Sequence, residues 1–194
     1  MRYLQFIAAL SALVSTGLAQ AGGSVSGGLG WRHLDGSQWG IYDVRSQAAV
    51  GVLADVQLGE LPLYATGSVQ LSGDDFDRPD LGVYDGSFSA IDVAIGLRLM
   101  RPDGLFRPYV GAALAGTSVY VSYEDSYHYD HDDDEQSLGY AVSTGAQLHF
   151  AHHLVVSVDA RWLLGTDEMS FDNGIREHAN SFTGLLGFGY AWGN

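Results

Sequence analysis

The sequence predicts an all-β fold, an eight-stranded antiparallel up-and-down barrel that spans a membrane. Three observations predict it. Period-two stretches recur eight times, short turns alternate with long polar loops between them, and each stretch has one apolar face and one small or polar face. The last stretch, Ser181–Trp192, shows the pattern most plainly. Phe182, Gly184, Leu186, Phe188, Tyr190 and Trp192 share one face, and Ser181, Thr183, Leu185, Gly187, Gly189 and Ala191 the other, because successive side chains of a strand point to opposite sides. A soluble sheet carries charge on its outer face. Here the non-greasy face is small, as the crowded inside of a narrow barrel requires, and the greasy face suits lipid.

Residues 1–21 read as a signal peptide and residues 22–194 as the barrel. Arg2 gives a positive start, Phe6–Val14 an apolar run, and Ala19-Gln-Ala21 a small-x-small cleavage site. The run is shorter than the ~20 residues of a membrane-spanning helix. The chain has no cysteine, so an exported form draws its stability from the fold and not from disulfides. It also has no lysine, and its net charge of −14 argues against binding nucleic acid or another polyanion without cations.

The strands follow in order: about 24–32, 48–58, 63–72, 88–100, a fifth from about 108, then 138–150, 154–164 and 181–192. Gly59–Pro62, Arg101–Gly104 and Ala151–His153 are short turns. The stretches 33–46, 73–86, 122–136 and 165–180 are long polar loops. Near Gly116–Tyr120 the parity of the fifth strand is uncertain, and Val119 with Val121 implies a bulge or an early end. Strands of about this length cross a bilayer at a tilt, needing ~9–11 residues.

Two local features carry a family resemblance. Arg107-Pro-Tyr-Val-Gly-Ala-Ala-Leu114 is similar to a stretch common in small outer-membrane barrels, and Gly187-Phe-Gly-Tyr-Ala-Trp192 is similar to the C-terminal signal of such barrels, here followed by Gly193 and Asn194. The whole predicted barrel resembles the eight-stranded OmpA and OmpX type, without a peptidoglycan-binding domain. The resemblance implies a bacterial outer membrane, termini on the periplasmic side, and the barrel assembly machinery as a partner during biogenesis.

Charge placement agrees. Of 23 acidic residues, 18 fall in the four long loops, accompanied only by Arg45, Arg78 and Arg176. Strand charges fall on the inward face alone: Arg32, Asp55, Asp92, Arg98, Asp159 and Arg161. Arg facing lipid at mid-depth costs ~2–4 kcal/mol, and a buried charge needs a partner. Asp92, Asp159 and Arg161 are therefore expected in one mid-barrel network, with Gln70 and Gln147 filling remaining hydrogen bonds. Trp31, Tyr140, Trp162 and Phe182 on the loop side, and Phe106, Phe150, Tyr190 and Trp192 on the turn side, are placed as two aromatic belts.

Candidate chemistry is sparse. Asp130, Asp132, Asp134 and Glu135, beside His128, His131 and Asp133, offer oxygen ligands for Ca²⁺ or Mg²⁺, with imidazoles for Zn²⁺. They lack the spacing of an EF-hand, and a charge block ordinarily stays a solvated tip. No other cofactor is expected. Glu177, His178 and Ser181 could be cast as the acid, base and nucleophile of a lipid A deacylase-like enzyme, but their spacing separates His178 and Ser181 across the strand. His149, His152 and His153 gather at a turn. An eight-stranded barrel filled with Arg and Asp blocks conduction. The expectation is thus a monomeric barrel with a structural or surface-interaction role, in contact with outer-membrane lipid and lipopolysaccharide, and a lipid-modifying enzyme as the alternative.

Overall fold

The computed structural model describes residues 22–37, 39, 44–81, 83–125, 129–150, 153–171 and 176–193; the predicted signal peptide lies outside them. The strands are β1 (Gly23–Leu34), β2 (Ser46–Gln57), β3 (Leu63–Arg78), β4 (Val83–Met100), β5 (Phe106–Asp125), β6 (Asp130–Phe150), β7 (Leu154–Leu164), β8 (Glu168–Ser170), β9 (Arg176–His178) and β10 (Ser181–Trp192). Eight of them close in the order β1-β10-β7-β6-β5-β4-β3-β2. Each barrel strand pairs antiparallel with its neighbours, and the last meets the first from Gly23↔Trp192 to Leu34↔Ser181. β8 and β9 form a small hairpin of their own within the last long loop.

Side-chain size sets the close contacts. A Cβ at Gly145 would strike the Val158 carbonyl and crowd the Tyr109 hydroxyl. A Cβ at Gly187 would strike the Ser157 hydroxyl. Gly145 thereby makes room for the large inward Tyr109, and Gly187 for close approach of β7. At the short-turn end, Gly104 closes the Arg101–Gly104 turn with φ of 91°, in the left-handed region that disfavours a Cβ.

Four strands run far longer than the sequence suggested. β3 has 16 residues, β4 18, β5 20 and β6 21, whereas β1, β2 and β10 have 12 and β7 has 11. At about 3.3 Å per residue and a tilt near 40°, β6 rises about 50 Å, roughly twice the height of an outer-membrane apolar band. The stretches read as loops at 73–86 and 122–136 are therefore largely barrel wall. Ladder hydrogen bonds are indifferent to side-chain charge: Asp130 to Ser137 pair residue by residue with Thr117 to Glu124, a stretch rich in β-formers such as Val119, Tyr120 and Val121. The fifth strand neither ends early nor slips against β6, for its pairing stays continuous to Glu124. The irregularities lie instead on β4, which has an extra residue between Val83 and Gly86 against β3 and between Tyr84 and Ser87 against β5.

Val119 and Val121 keep the inward parity for a physical reason. Within the apolar belt the barrel is polar inside and greasy outside: Asp92 and Thr117 are buried, and Ile91, Leu114 and Leu138 are exposed. One turn of the pleat higher, the same strands reverse. Phe76, Phe88, Ala90, Val119 and Val121 point inward and join Leu34, Trp39, Val44, Met169, Phe171 and Ala179 in one buried apolar cluster, while Ser89 and Tyr120 face out. Above the membrane the wall is bathed in water on its outside, so the hydrophobic effect now places apolar groups in the interior. The reversal marks where lipid gives way to water.

Trp39 is the keystone of that cap. It is 1% exposed, donates from Nε1 to the His178 carbonyl at 3.0 Å, and meets Phe88 and Phe171 edge-on. Trp39→Phe is expected to cost about 1–2 kcal/mol through the lost hydrogen bond and a small cavity, read as a lower urea midpoint.

Candidate functional site: a filled barrel and its outer wall

Inward parity brings the predicted charges together in two clusters. In the first, Arg98 donates from Nη1 to Asp55 Oδ2 at 3.0 Å and from Nη2 to Asp159 Oδ2 at 3.3 Å. Its guanidinium lies 3.8 Å above the Tyr109 ring centre, and the Tyr109 hydroxyl donates to Asp159 at 2.6 Å. Gln147 adds a bond to Asp55 at 3.0 Å, and Arg161 approaches Asp159 at 3.8 Å while donating to Ser68 at 2.8 Å. In the second cluster, Arg32 pairs with Asp92 at 3.3 Å and donates to Ser72, and Thr117 donates to Asp92 at 2.6 Å.

The partition differs from the single network expected for Asp92, Asp159 and Arg161. Asp92 takes Arg32 as its cation, because β1 carries an inward Arg at the upper level, and Asp159 takes Arg98 and Tyr109. Gln70 donates to Thr183 at 2.8 Å and to neither carboxylate. A cavity beside Ser68, Gln70 and Arg161 has room for about one water molecule. The interior is filled rather than open.

The outer wall carries the remaining candidate residues. Alternation along β6 puts Asp132 and Asp134 on the outside and Glu135 on the inner side, opposite Val119. Asp130 opens the strand; its side chain and that of His128 lie outside the described residues. The extended strand therefore spreads Asp132, Asp134 and Glu135 along and across the wall. Among the described residues, no group of three or more His, Cys, Asp or Glu is gathered to hold a metal ion. His131 stacks on Tyr123 at 5.0 Å.

Asp132 accepts a hydrogen bond from the Tyr120 hydroxyl at 2.7 Å. That bond, and a second from Ser122, hold the carboxyl below its usual range, and the same bond pushes the Tyr120 hydroxyl up. The lowered carboxyl means the bond is complete above the ordinary Asp range and is lost only as pH falls through the depressed value. An NMR titration of the Tyr120 ring is expected to stay flat from neutral to mildly acidic pH and to move only below the ordinary Asp midpoint.

The enzyme residues are not assembled. The His178 ring faces the Thr166 carbonyl at 2.6 Å from Nδ1, and Ser181 is buried at the inward start of β10. At the turn end, His149 meets Gln147, and His153 meets the Ala191 carbonyl and stacks on Tyr190. The exposed Trp31, Tyr140, Trp162, Phe106, Phe150 and Tyr190 sit near the two edges of the apolar band.

A sequence model of the outer membrane protein beta-barrel domain matches residues 4–176. The chain belongs to the outer membrane β-barrel family. As a member of that family it resides in the bacterial outer membrane, and the apolar belt with its reversal above fits strands that face a lipid bilayer. A comparison with curated protein sequences finds no match. Solved structures share the barrel fold at low identity. OprG from Pseudomonas aeruginosa is 12% identical, with a TM-score of 0.63 over 92% of this chain and 99% of that one. Ail, the attachment invasion locus protein of Yersinia pestis, solved with the heparin analogue sucrose octasulfate, is 14% identical, with a TM-score of 0.60 over 89% and 99%. A major outer membrane protein from Thermus thermophilus is 12% identical, with a TM-score of 0.59 over 89% and 99%.

Sequence reasoning placed the inward charges of this outer membrane β-barrel but missed the apolar cap and Tyr120. Phe76, inside a stretch read as loop, and Val119 with Val121, read as a bulge or an early strand end, were the available signal.

Proposed function

We propose that this outer-membrane barrel is a structural, surface-interacting protein whose acidic wall contacts lipopolysaccharide through bridging Mg²⁺ or Ca²⁺. The observation that carries this reading is the extension of β3–β6 above the apolar belt as a hydrogen-bonded wall, filled inside by its own apolar cap. A filled barrel has no lumen to offer, so the function falls to its outside. That outside is acidic. Asp75 and Asp77 on β3 are exposed there, and like charge repels lipid phosphates unless divalent cations intervene. The same charge disfavours a polysulfated ligand of the kind seated on Ail.

The test is thermal unfolding of the purified chain in bilayers with lipopolysaccharide or with phospholipid alone, each with and without Mg²⁺. The midpoint is expected to rise by several degrees only where lipopolysaccharide and Mg²⁺ are both present, as linkage requires for a ligand of the folded state. Equal midpoints in all four conditions would overturn the reading.

A further inference from the structure

We propose that the outer face of the β5–β6 hairpin, just above the apolar belt, seats a neutral sugar ring of the lipopolysaccharide core, stacked on Tyr120 and hydrogen-bonded by Asp132 and Asp134. The inference rests on the reading that this wall meets lipopolysaccharide, and it names which part of that molecule is recognised.

Height is the first argument. Leu138 and Tyr140 are the last large apolar residues on the outside of β6, both strongly exposed. The next outward positions are Gln136, opposite Ser118, then Asp134, opposite Tyr120, then Asp132, opposite Ser122. Each step of two residues climbs about 5 Å along a tilted strand. Tyr120 therefore stands about 10 Å above the level of Leu138 on β6 and about 5 Å above that of Ile91 on β4, where the saccharide of a neighbouring lipopolysaccharide begins, not its acyl chains.

Preorganisation is the second. The Tyr120 hydroxyl reaches diagonally to Asp132 across the strand pair at 2.7 Å. A tyrosine tied in that direction lies along the sheet instead of standing off it, and the residue remains 41% exposed. An apolar ring face held flat in water is a platform for the C–H face of a sugar. Directly opposite residues on paired strands have Cβ atoms about 5 Å apart, so the Asp134 carboxylate borders the same platform.

Charge supplies the third. An ionised carboxylate only accepts hydrogen bonds, and it can take two from adjacent hydroxyls. The outward face formed by Ser118, Tyr120, Ser122, Asp132, Asp134 and Gln136 has no basic residue. It therefore disfavours a phosphate and favours uncharged hydroxyls, which separates this contact from cation bridging elsewhere on the wall.

Binding of the purified full chain to core-bearing lipopolysaccharide, to lipid A and to phosphatidylethanolamine, measured by native mass spectrometry with Mg²⁺ and again with a chelator, tests the proposal. Heat-modified gel migration checks that each variant is folded. Core-bearing lipopolysaccharide is expected to bind about five- to tenfold more tightly than lipid A. Tyr120→Ala removes that preference and leaves lipid A binding unchanged; Tyr120→Phe, which keeps the ring, retains most of it. A core that adds nothing, a preference that survives Tyr120→Ala, or one that the chelator abolishes overturns the sugar contact while the broader surface reading stands. If neither lipid A nor lipopolysaccharide binds above phosphatidylethanolamine, the broader reading fails and this one with it.

Discussion

Replacing Arg98 with Met is expected to lower the unfolding free energy by about 3–5 kcal/mol. Arg98 is the cation that Asp55 and Asp159 share, at 3.0 and 3.3 Å, and all three are buried. Without it, two carboxylates remain in a narrow interior with too few donors to replace it. Asp55 would retain Gln147, and Asp159 would retain Tyr109 and a long contact to Arg161. The unpaired charge, not the lost bond, dominates the cost. Urea titration of the barrel refolded into phospholipid vesicles measures it. Adding Asp55→Asn to the Arg98→Met background should recover part of the loss, because it removes one of the stranded charges, and the double-mutant cycle then gives the coupling directly. Arg161→Met should cost distinctly less, since its carboxylate partner is 3.8 Å away and already satisfied. Equal losses at Arg98 and Arg161 would contradict this account of the cluster.

The same comparison shows what a strand pattern can and cannot reveal. Parity along β1, β2, β4 and β7 was legible, because lipid on one side and a narrow interior on the other leave each residue one tolerable direction. Arg32, Asp55, Asp92, Arg98, Asp159 and Arg161 were found in that way. Their pairing was not legible, since it depends on barrel stagger: Arg32 and Asp92 come from strands 60 residues apart in the chain, and period two carries no information on height. The long wall was obscured for another reason. In Asp130–Gln136 the outward residues meet water, so both faces of that strand are polar or charged and the alternation that signals a strand vanishes. Only its partner, with Val119 and Val121 turned toward the cap, retained a readable period. Trp39 gave no periodic signal at all, because it packs from the segment between β1 and β2 and not from a strand.

Placing Arg at Ile95 is expected to cost about 2–4 kcal/mol, and at Ser89 less than about 0.5 kcal/mol. The two positions lie on one strand, on one face, six residues apart, and both are exposed. A soluble sheet would treat them alike. In the bilayer, Ile95 sits among Leu97, Ile91 and Leu114 on the lipid face, where a guanidinium must be desolvated or must snorkel past neighbours. Ser89 lies above the reversal, level with inward Phe88 and Ala90, where the outside is wet and the nearby wall acidic. Refolding both variants into vesicles and titrating with urea measures the difference. A comparable loss at the two sites would mean that the apolar band extends above Ser89, and then the cap, the wall and the height assigned to Tyr120 would all be misplaced. A large loss confined to Ile95 places the edge of the membrane between Ile95 and Ser89, below the outer wall that carries Tyr120.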